Sequence, residues 1–298
     1  MTGTRRSVDS RAGSLMVLLC AIWGLTHVAA KLAAPDVSLI MQGGLRAALA
    51  AVLVVAWAAL RGEPLLRRDG TLAAGIVAGA LFAGEFVFIY AGLAHTAASR
   101  MVVFVYLAPV LTALGLHLCV PGEQLHRLQW IGVLLAFLGI VAAFGEGFAR
   151  SRASLLGDAF GVIAAILWAA TTVWIRASSL TRLGASKVLL YQLAVCAVVM
   201  LAASPLLGEP GVIRMSPLAL GSLVFQGAVV AFASYLAWFW LLTRYRAGPL
   251  SIFAFLTPLF GVLFGALILG EAVTPAFAGA VVLVGAGIAL VNRKAAGG

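Results

Sequence analysis

The stretch Cys20-Ala-Ile-Trp23-Gly-Leu-Thr26-His27-Val-Ala-Ala-Lys31 returns 145 residues later as Ala165-Ile-Leu-Trp168-Ala-Ala-Thr171-Thr-Val-Trp-Ile-Arg176. Trp23 falls on Trp168, Thr26 on Thr171 and Lys31 on Arg176. Further along, a shift of 149 carries Leu93 onto Leu242, Phe104 onto Phe253, Leu107 onto Leu256, Pro109 onto Pro258 and Leu114 onto Leu263. A shift of 148 carries Glu123 onto Glu271 and Gly139-Ile140 onto Gly287-Ile288. Single identities arise by chance in an Ala/Leu-rich chain. Trp, Pro and Glu recurring in order at a nearly constant offset mark an internal duplication, and such a period decides the architecture before any site is sought.

The solvent of this fold follows from composition. The 298 residues are 63% hydrophobic and 10% charged, with a mean hydropathy of +1.10, too little polar surface for a water-soluble domain. Apolar runs long enough to cross a bilayer, about 20 residues each, fill the chain almost end to end. Read between charged or Pro/Gly-rich breaks, they predict ten helices: 14–34, 38–60, 71–93, 99–119, 127–145, 155–177, 187–207, 217–242, 249–269 and 275–292. Helices are required because lipid offers no partner to open backbone groups, and the alternation of a membrane barrel is absent. The duplication divides the ten into residues 14–145 and 155–292, five helices each, with tails at 1–13 and 293–298. Five is odd, so the second half enters the membrane upside down. The expected fold is an all-α integral membrane protein of ten transmembrane helices built as two inverted five-helix repeats.

The net charge of +10 lies in the gaps between apolar runs, where topology acts on it. With the N-terminus inside, fourteen Lys and Arg fall on the inner side, against Lys31, Arg100, Arg150, Arg152 and Arg214 outside. Loops this short follow the positive-inside bias, so both termini are expected in the cytoplasm of a bacterial inner membrane. No basic run is interleaved with stacking aromatics, which excludes a nucleic-acid surface. Arg5, Arg6 and Arg11 before an apolar run, with Val28-Ala29-Ala30 beyond it, have the outline of a leader peptide. The first helix nevertheless has its own copy in the second half, which a removable leader would lack. Cys20, Cys119 and Cys196 have no metal or disulfide spacing and read as packing residues.

Ala21-Ile22-Trp23-Gly24 with Lys31 resembles the opening motif of the drug/metabolite transporter superfamily, EamA type. Leu107-Ala108-Pro109-Val110 followed by Glu123, and Leu256-Thr257-Pro258-Leu259 followed by Glu271, resemble that family's fourth- and ninth-helix motif. Gly157-Asp158, and Tyr235 with Trp238-Phe239-Trp240, fit it as well. The resemblance covers nearly the whole chain and implies ten helices, cytoplasmic termini and transport of small metabolites, often export of amino acids. Trp168-Ala169-Ala170 departs from the Trp-Gly-Leu of helix one, and Arg46 and Glu85 have no charged counterparts in the second half.

Those two charges stand out because each costs about 3 kcal/mol within a span. Arg46 and Glu85 lie about eight residues from the outer ends of helices two and three, roughly 12 Å deep at 1.5 Å per residue, and His27 comes to nearly the same depth. One reading is an Arg46–Glu85 ion pair that locks two helices. The other places both on a solute cavity, Arg46 meeting a carboxylate and Glu85 an ammonium group or a proton, with His27 sharing the proton. Thr171, Gln192 and Tyr235 supply neutral polar groups from the inverted half; the bland alternative is hydrogen bonding between helices. Trp23, Tyr90, Trp168 and Trp238 are expected as cavity walls. Pro109 and Pro258, at repeat-equivalent places, each remove a backbone donor and are candidate gates or static bends.

Inverted halves around a shared site are a common plan for alternating access, so the expectation is a carrier, proton-coupled and exporting. A passive channel, a membrane scaffold and an importer stay open as alternatives. No GxSxG, HExxH or paired acidic motif suggests an enzyme. No cofactor or metal is expected. The partners are a small-molecule solute and membrane lipid, in a monomer or homodimer.

Overall fold

The computed structural model describes residues 6–65, 67–93, 95–96, 98–150, 154–270 and 273–292; Glu271 lies outside them. The first three spans are α1 (Ser10–Ala33), α2 (Leu39–Leu60) and α3 (Leu72–Leu93). The fourth is split into α4 (Ala98–Val105) and α5 (Ala108–Cys119), and α6 (Arg127–Arg150) closes the first half. The second half opens with α7 (Leu155–Ala177) and α8 (Ala185–Leu206). Its next span joins α9 (Pro217–Val224), a π-helix over Phe225–Ser234 and α10 (Tyr235–Arg244). The ninth span joins α11 (Ala247–Ser251), a 3₁₀ turn over Ile252–Phe255 and α12 (Leu256–Leu269), and α13 (Ala276–Asn292) ends the bundle. Among the described residues nine helical stretches are long and apolar enough to cross a bilayer, and the 17-residue α13 is the shorter tenth.

Three spans expected as unbroken helices are not. At Tyr106-Leu107 the fourth span turns just before Pro109, which enters at the start of α5. Pro258 is likewise the third residue of α12, directly after the 3₁₀ turn. A proline has no N–H for the carbonyl four residues back and its ring crowds that carbonyl, so each helix restarts at the proline. The π-helix in the eighth span is a change of hydrogen-bond register that no residue type foretells.

Inverted duplication is visible in local structure. Asp9 caps α1 by accepting from Ala12 N at 2.8 Å; 145 residues later Ser154 caps α7 by accepting from Gly157 N at 3.2 Å. Thr26 donates to the Ile22 carbonyl at 3.0 Å and Thr171 to the Leu167 carbonyl at 2.8 Å. Packing follows the same rule. The pair α1·α12 has its image in α7·α5, and α3·α7 in the contact of α1 with α9 and the π-helix. The pairs α2·α8 and α6·α13 join equivalent spans. At the α6–α13 crossing backbones touch: a Cβ on Gly132 would stand 2.7 Å from the Gly287 carbonyl oxygen, and one on Gly139 3.0 Å from that of Ala280. Under the 148-residue shift these two contacts are images of each other.

The first and last described residues lie at one end of the bundle. Arg6 pairs through its backbone with Arg244 and Arg246, and Gln129 donates to the Val291 carbonyl at 2.8 Å. There Glu123 joins three spans: it is ion-paired with Arg176 at 3.2 Å, both side chains 2% exposed, and accepts from Ala247 N and Gly248 N at the start of α11. At the other end Glu209 accepts from Ser38, Ile40 N and Met41 N at the start of α2, and Asp158 from Arg100 and Thr96.

Candidate functional site

The interior polar groups gather where α1, α2, α3, α8 and α10 converge. Trp23 reaches from α1 and donates its indole N–H to Ser234 Oγ at 2.8 Å, where the π-helix ends. Its ring meets Tyr235 at 6.2 Å and Trp238 at 6.1 Å, edge to face in both cases, an arrangement aromatic pairs prefer. Tyr235 continues to Phe82 at 6.1 Å, Phe82 to Phe86 at 5.2 Å, and Phe86 to Tyr90 at 6.5 Å. A wall of six rings thus runs from α10 through α1 to α3. Over Phe86 lies the Arg46 guanidinium, 4.8 Å from the ring centre.

Arg46 is 8% exposed and Glu85 6%, yet among the described residues they form no ion pair and no hydrogen bond with each other. The expected lock between α2 and α3 is therefore not made in this conformation. They remain electrostatic neighbours, in a group that includes Tyr90, Cys196 and Tyr235. Among the described residues neither side chain has a hydrogen-bond or ion-pair partner, so a buried cation and a buried acid stand near each other with both charges uncompensated.

Other expected residues are elsewhere. The Trp168 ring packs on Tyr106 at 5.8 Å and is not one of the six rings of the wall. His27 is exposed; its ring edge lies beside Gly261 at the α1–α12 crossing, within electrostatic range of Arg46 but outside the ring wall. Thr171 bonds its own helix, as does Gln192, whose amide donates to the Val188 carbonyl at 3.5 Å. Pro109 and Pro258 stand at the helix breaks described above. The Gly75 and Gly79 face of α3 receives Tyr191 and Val195 of α8.

Phe82 and Phe86 were not singled out from sequence, since two Phe among 16 carry no mark; their i, i+4 spacing on one face with Tyr90 was the available signal. Also missed was a buried amide chain in which Gln226, in the π-helix, donates to Gln42 at 2.8 Å while Gln42 donates to the Val37 carbonyl at 2.7 Å. A separate cavity of about 30 Å³ lies between Arg176, Leu180, Val188 and Phe239. It holds about one water and is too small for a solute. Among the described residues no cluster of three or more metal-ligating side chains occurs.

Comparison with known proteins covers the same two halves. A model of the EamA-like transporter family matches residues 11–145 and 155–293. The chain is 25% identical over 288 residues to a probable amino-acid metabolite efflux pump of Escherichia coli (strain K12), covering 93% of each protein. It is 25% identical over 267 residues to the uncharacterized inner membrane transporter YedA of the same strain, covering 87% of this chain and 83% of that one. A solved structure titled only as the crystal structure of a protein aligns with a TM-score of 0.80 at 20% identity, over 95% of this chain and 99% of that one. That likeness speaks to the fold alone.

Proposed function

Because this chain belongs to the EamA-like transporter family and is a multi-pass membrane transporter rather than an enzyme, we propose that it exports small amino-acid-like metabolites by alternating access, driven by a proton gradient. It would do so from the inner membrane of a bacterium with both termini in the cytoplasm. The two five-helix repeats, 14–145 and 155–292, rock about the site between them. The observation that carries the reading is that Arg46 and Glu85, both buried, form no ion pair with each other among the described residues, while Arg46 lies over the wall of aromatic rings. A zwitterion satisfies both: its carboxylate meets Arg46, and its ammonium group meets ionised Glu85. Trp23, Tyr90, Tyr235 and Trp238 enclose its apolar part, and Trp168, Thr171 and Gln192 are reached from the opposite-facing state.

Proton coupling follows from competition at Glu85. A carboxylate that holds an ammonium group gives up its proton first, so solute and proton exclude each other there and move in opposite directions. His27, exposed and near Arg46, is the group through which the proton enters or leaves. Pro109 and Pro258 are the points where half-helices swing. Similarity to the probable amino-acid metabolite efflux pump of E. coli supports the solute class.

The test is transport by purified protein in liposomes against a panel of labelled amino acids and their derivatives, with and without a pH gradient. Trans-stimulation by an unlabelled solute inside the vesicles supports a carrier. Its absence across the panel, with flux that rises linearly with concentration, would favour a channel. Glu85→Gln should abolish gradient-driven uptake while preserving exchange; gradient-driven uptake at the wild-type rate would remove Glu85 from the coupling.

A further inference from the structure

Trp23 and Ser234 make the one direct hydrogen bond between the halves within the aromatic wall, and the duplication gives both residues counterparts. The 145-residue shift that superposes the helix caps Asp9 and Ser154, and the back-bonded Thr26 and Thr171, carries Trp23 onto Trp168. The 149-residue shift anchored at Leu93 and Leu242 runs back through α-helix from Leu93 to Phe86 in α3 and from Leu242 to Tyr235 in α10, and one step further reaches Glu85 on one side and Ser234, the last residue of the π-helix, on the other. It carries Ser234 onto Glu85. The image of the Trp23–Ser234 bond is therefore a bond from Trp168 to Glu85.

That bond is not formed now. Among the described residues the Trp168 indole N–H has no hydrogen-bond partner, its ring lying on Tyr106, and Glu85 is likewise without one. Yet the two helices are in register for it: a Cβ on Gly84 would stand 3.1 Å from the Leu167 side chain, so the residues just before Glu85 and just before Trp168 pass side by side. In a carrier of inverted repeats each half takes up the other's conformation when the facing side changes.

We propose that in the opposite-facing conformation Trp168 donates its indole N–H to Glu85 while the Trp23–Ser234 bond is released. The two bonds are alternatives, one for each facing state. Their acceptors differ in kind: Ser234 is neutral at every pH, whereas Glu85 takes or gives up a proton. A bond to an ionised carboxylate is about twice as strong as one between neutral groups, so loss of the Glu85 proton to the exposed water favours the Trp168-bonded state. The groups facing Glu85 are Arg46 from α2, Cys196 from α8, Tyr235 from α10 and Tyr106 between α4 and α5. Along α7 the charged residues, Asp158 and Arg176, lie only near the ends. This inference rests on the carrier reading and adds how Glu85 selects between its states.

The experiment measures spin-label distances in full-length protein in liposomes without solute, so it does not depend on finding the substrate. One label pair spans each end, Leu32 with His95 and Pro121 with Thr243, all exposed, in a background whose three cysteines are replaced. Ser234→Ala should shift the ratio of the two distance populations toward the opposite-facing state by about five-fold, for a hydrogen bond of ordinary strength, and Trp168→Phe should shift it the other way, by at least as much where Glu85 is ionised. Ser234→Thr, which keeps the hydroxyl, should restore the wild-type ratio. Shifts in the same direction, or no shift, would overturn the proposal. Should Trp168→Phe not fold, Glu85→Gln decides: the population ratio should follow pH in the wild type and not in the variant, and equal pH dependence in both overturns it. Solute flux with unmoved populations would leave the carrier reading standing and this inference refuted.

Discussion

An arginine buried in a membrane over a phenylalanine face, with an acid nearby that it does not touch, is costly to keep. If Arg46 served only to hold α2 and α3 together, removing it would loosen the protein. Held instead for a solute, it is a net cost of about 3 kcal/mol that an apolar side chain of similar length avoids. Arg46→Met is therefore expected to keep or raise the melting temperature while lowering solute flux at least ten-fold; a fall of several degrees together with lost flux would mark Arg46 as structural. Outside the spans, Asp69 accepts from Lys187 Nζ at 2.7 Å and from the Thr71 hydroxyl at 2.6 Å, tying the α2–α3 connection to α8. The hydrogen bond from Lys187, then that from Thr71, hold its carboxyl down at about 2, against 3.8 ordinarily. A depressed carboxyl contributes its stability above the ordinary value and loses it as pH falls through the depressed one. The gap in melting temperature between wild type and Asp69→Asn should thus be constant from pH 8 to pH 5 and close between pH 4 and pH 2, as thermal melts in detergent can follow. Arg46 and Glu85 were legible because charge inside an apolar run is conspicuous. The Asp69–Lys187 pair was not, because a charge in a loop and one in the first turn of a helix, 118 residues apart, carry no sign of each other.

At the level of helices, close approach has a sequence-readable cause and the π-helix has none. Glycine lets backbones touch where a Cβ would collide, and the carbonyl oxygens of Gly132 and Gly287 each lie within 2.7 Å of where the other's Cβ would stand. Overpacking such a contact costs about 1–3 kcal/mol. Gly287→Ala is expected to lower the melting temperature by several degrees, while Gly285→Ala, whose new Cβ would meet nothing within 4 Å, should not lower it; equal effects would show that helix propensity rather than contact decides. The helices themselves were readable from apolar runs to within a few residues, since length and hydropathy fix them. The splits at Tyr106-Leu107 and Ile252–Phe255 were half readable: Pro109 and Pro258 mark the places, but a proline alone does not say whether a helix bends or restarts. Phe225–Ser234 winds as a π-helix with residues that would suit an α-helix equally, so only the packing of Gly227 against Leu49 and the polar contacts of Gln226 and Ser234 set its register.

For the molecule as a whole, parity makes the strongest demand. Two halves of five spans put residues 6 and 292 at the same end, and the basic excess is the ground for the proposal that this end faces the cytoplasm. With the native cysteines replaced, Ser7→Cys and Glu63→Cys should resist a membrane-impermeant maleimide in intact cells, and His95→Cys should react; the reverse pattern would invert the proposed orientation. Duplication was legible from Trp, Pro and Glu at constant offset, but not which contacts cross between the copies, since those depend on how the halves meet. The α6–α13 crossing is one such contact, and its two touching points are images of each other under the repeat. If the halves exchange conformations as proposed, the crossing maps onto itself and has no reason to part during a cycle. In that cycle it would serve as the fulcrum. A carrier that turns on bare backbone has nothing there to unhook, and damage at that spot should stall every solute alike, whatever the chamber prefers.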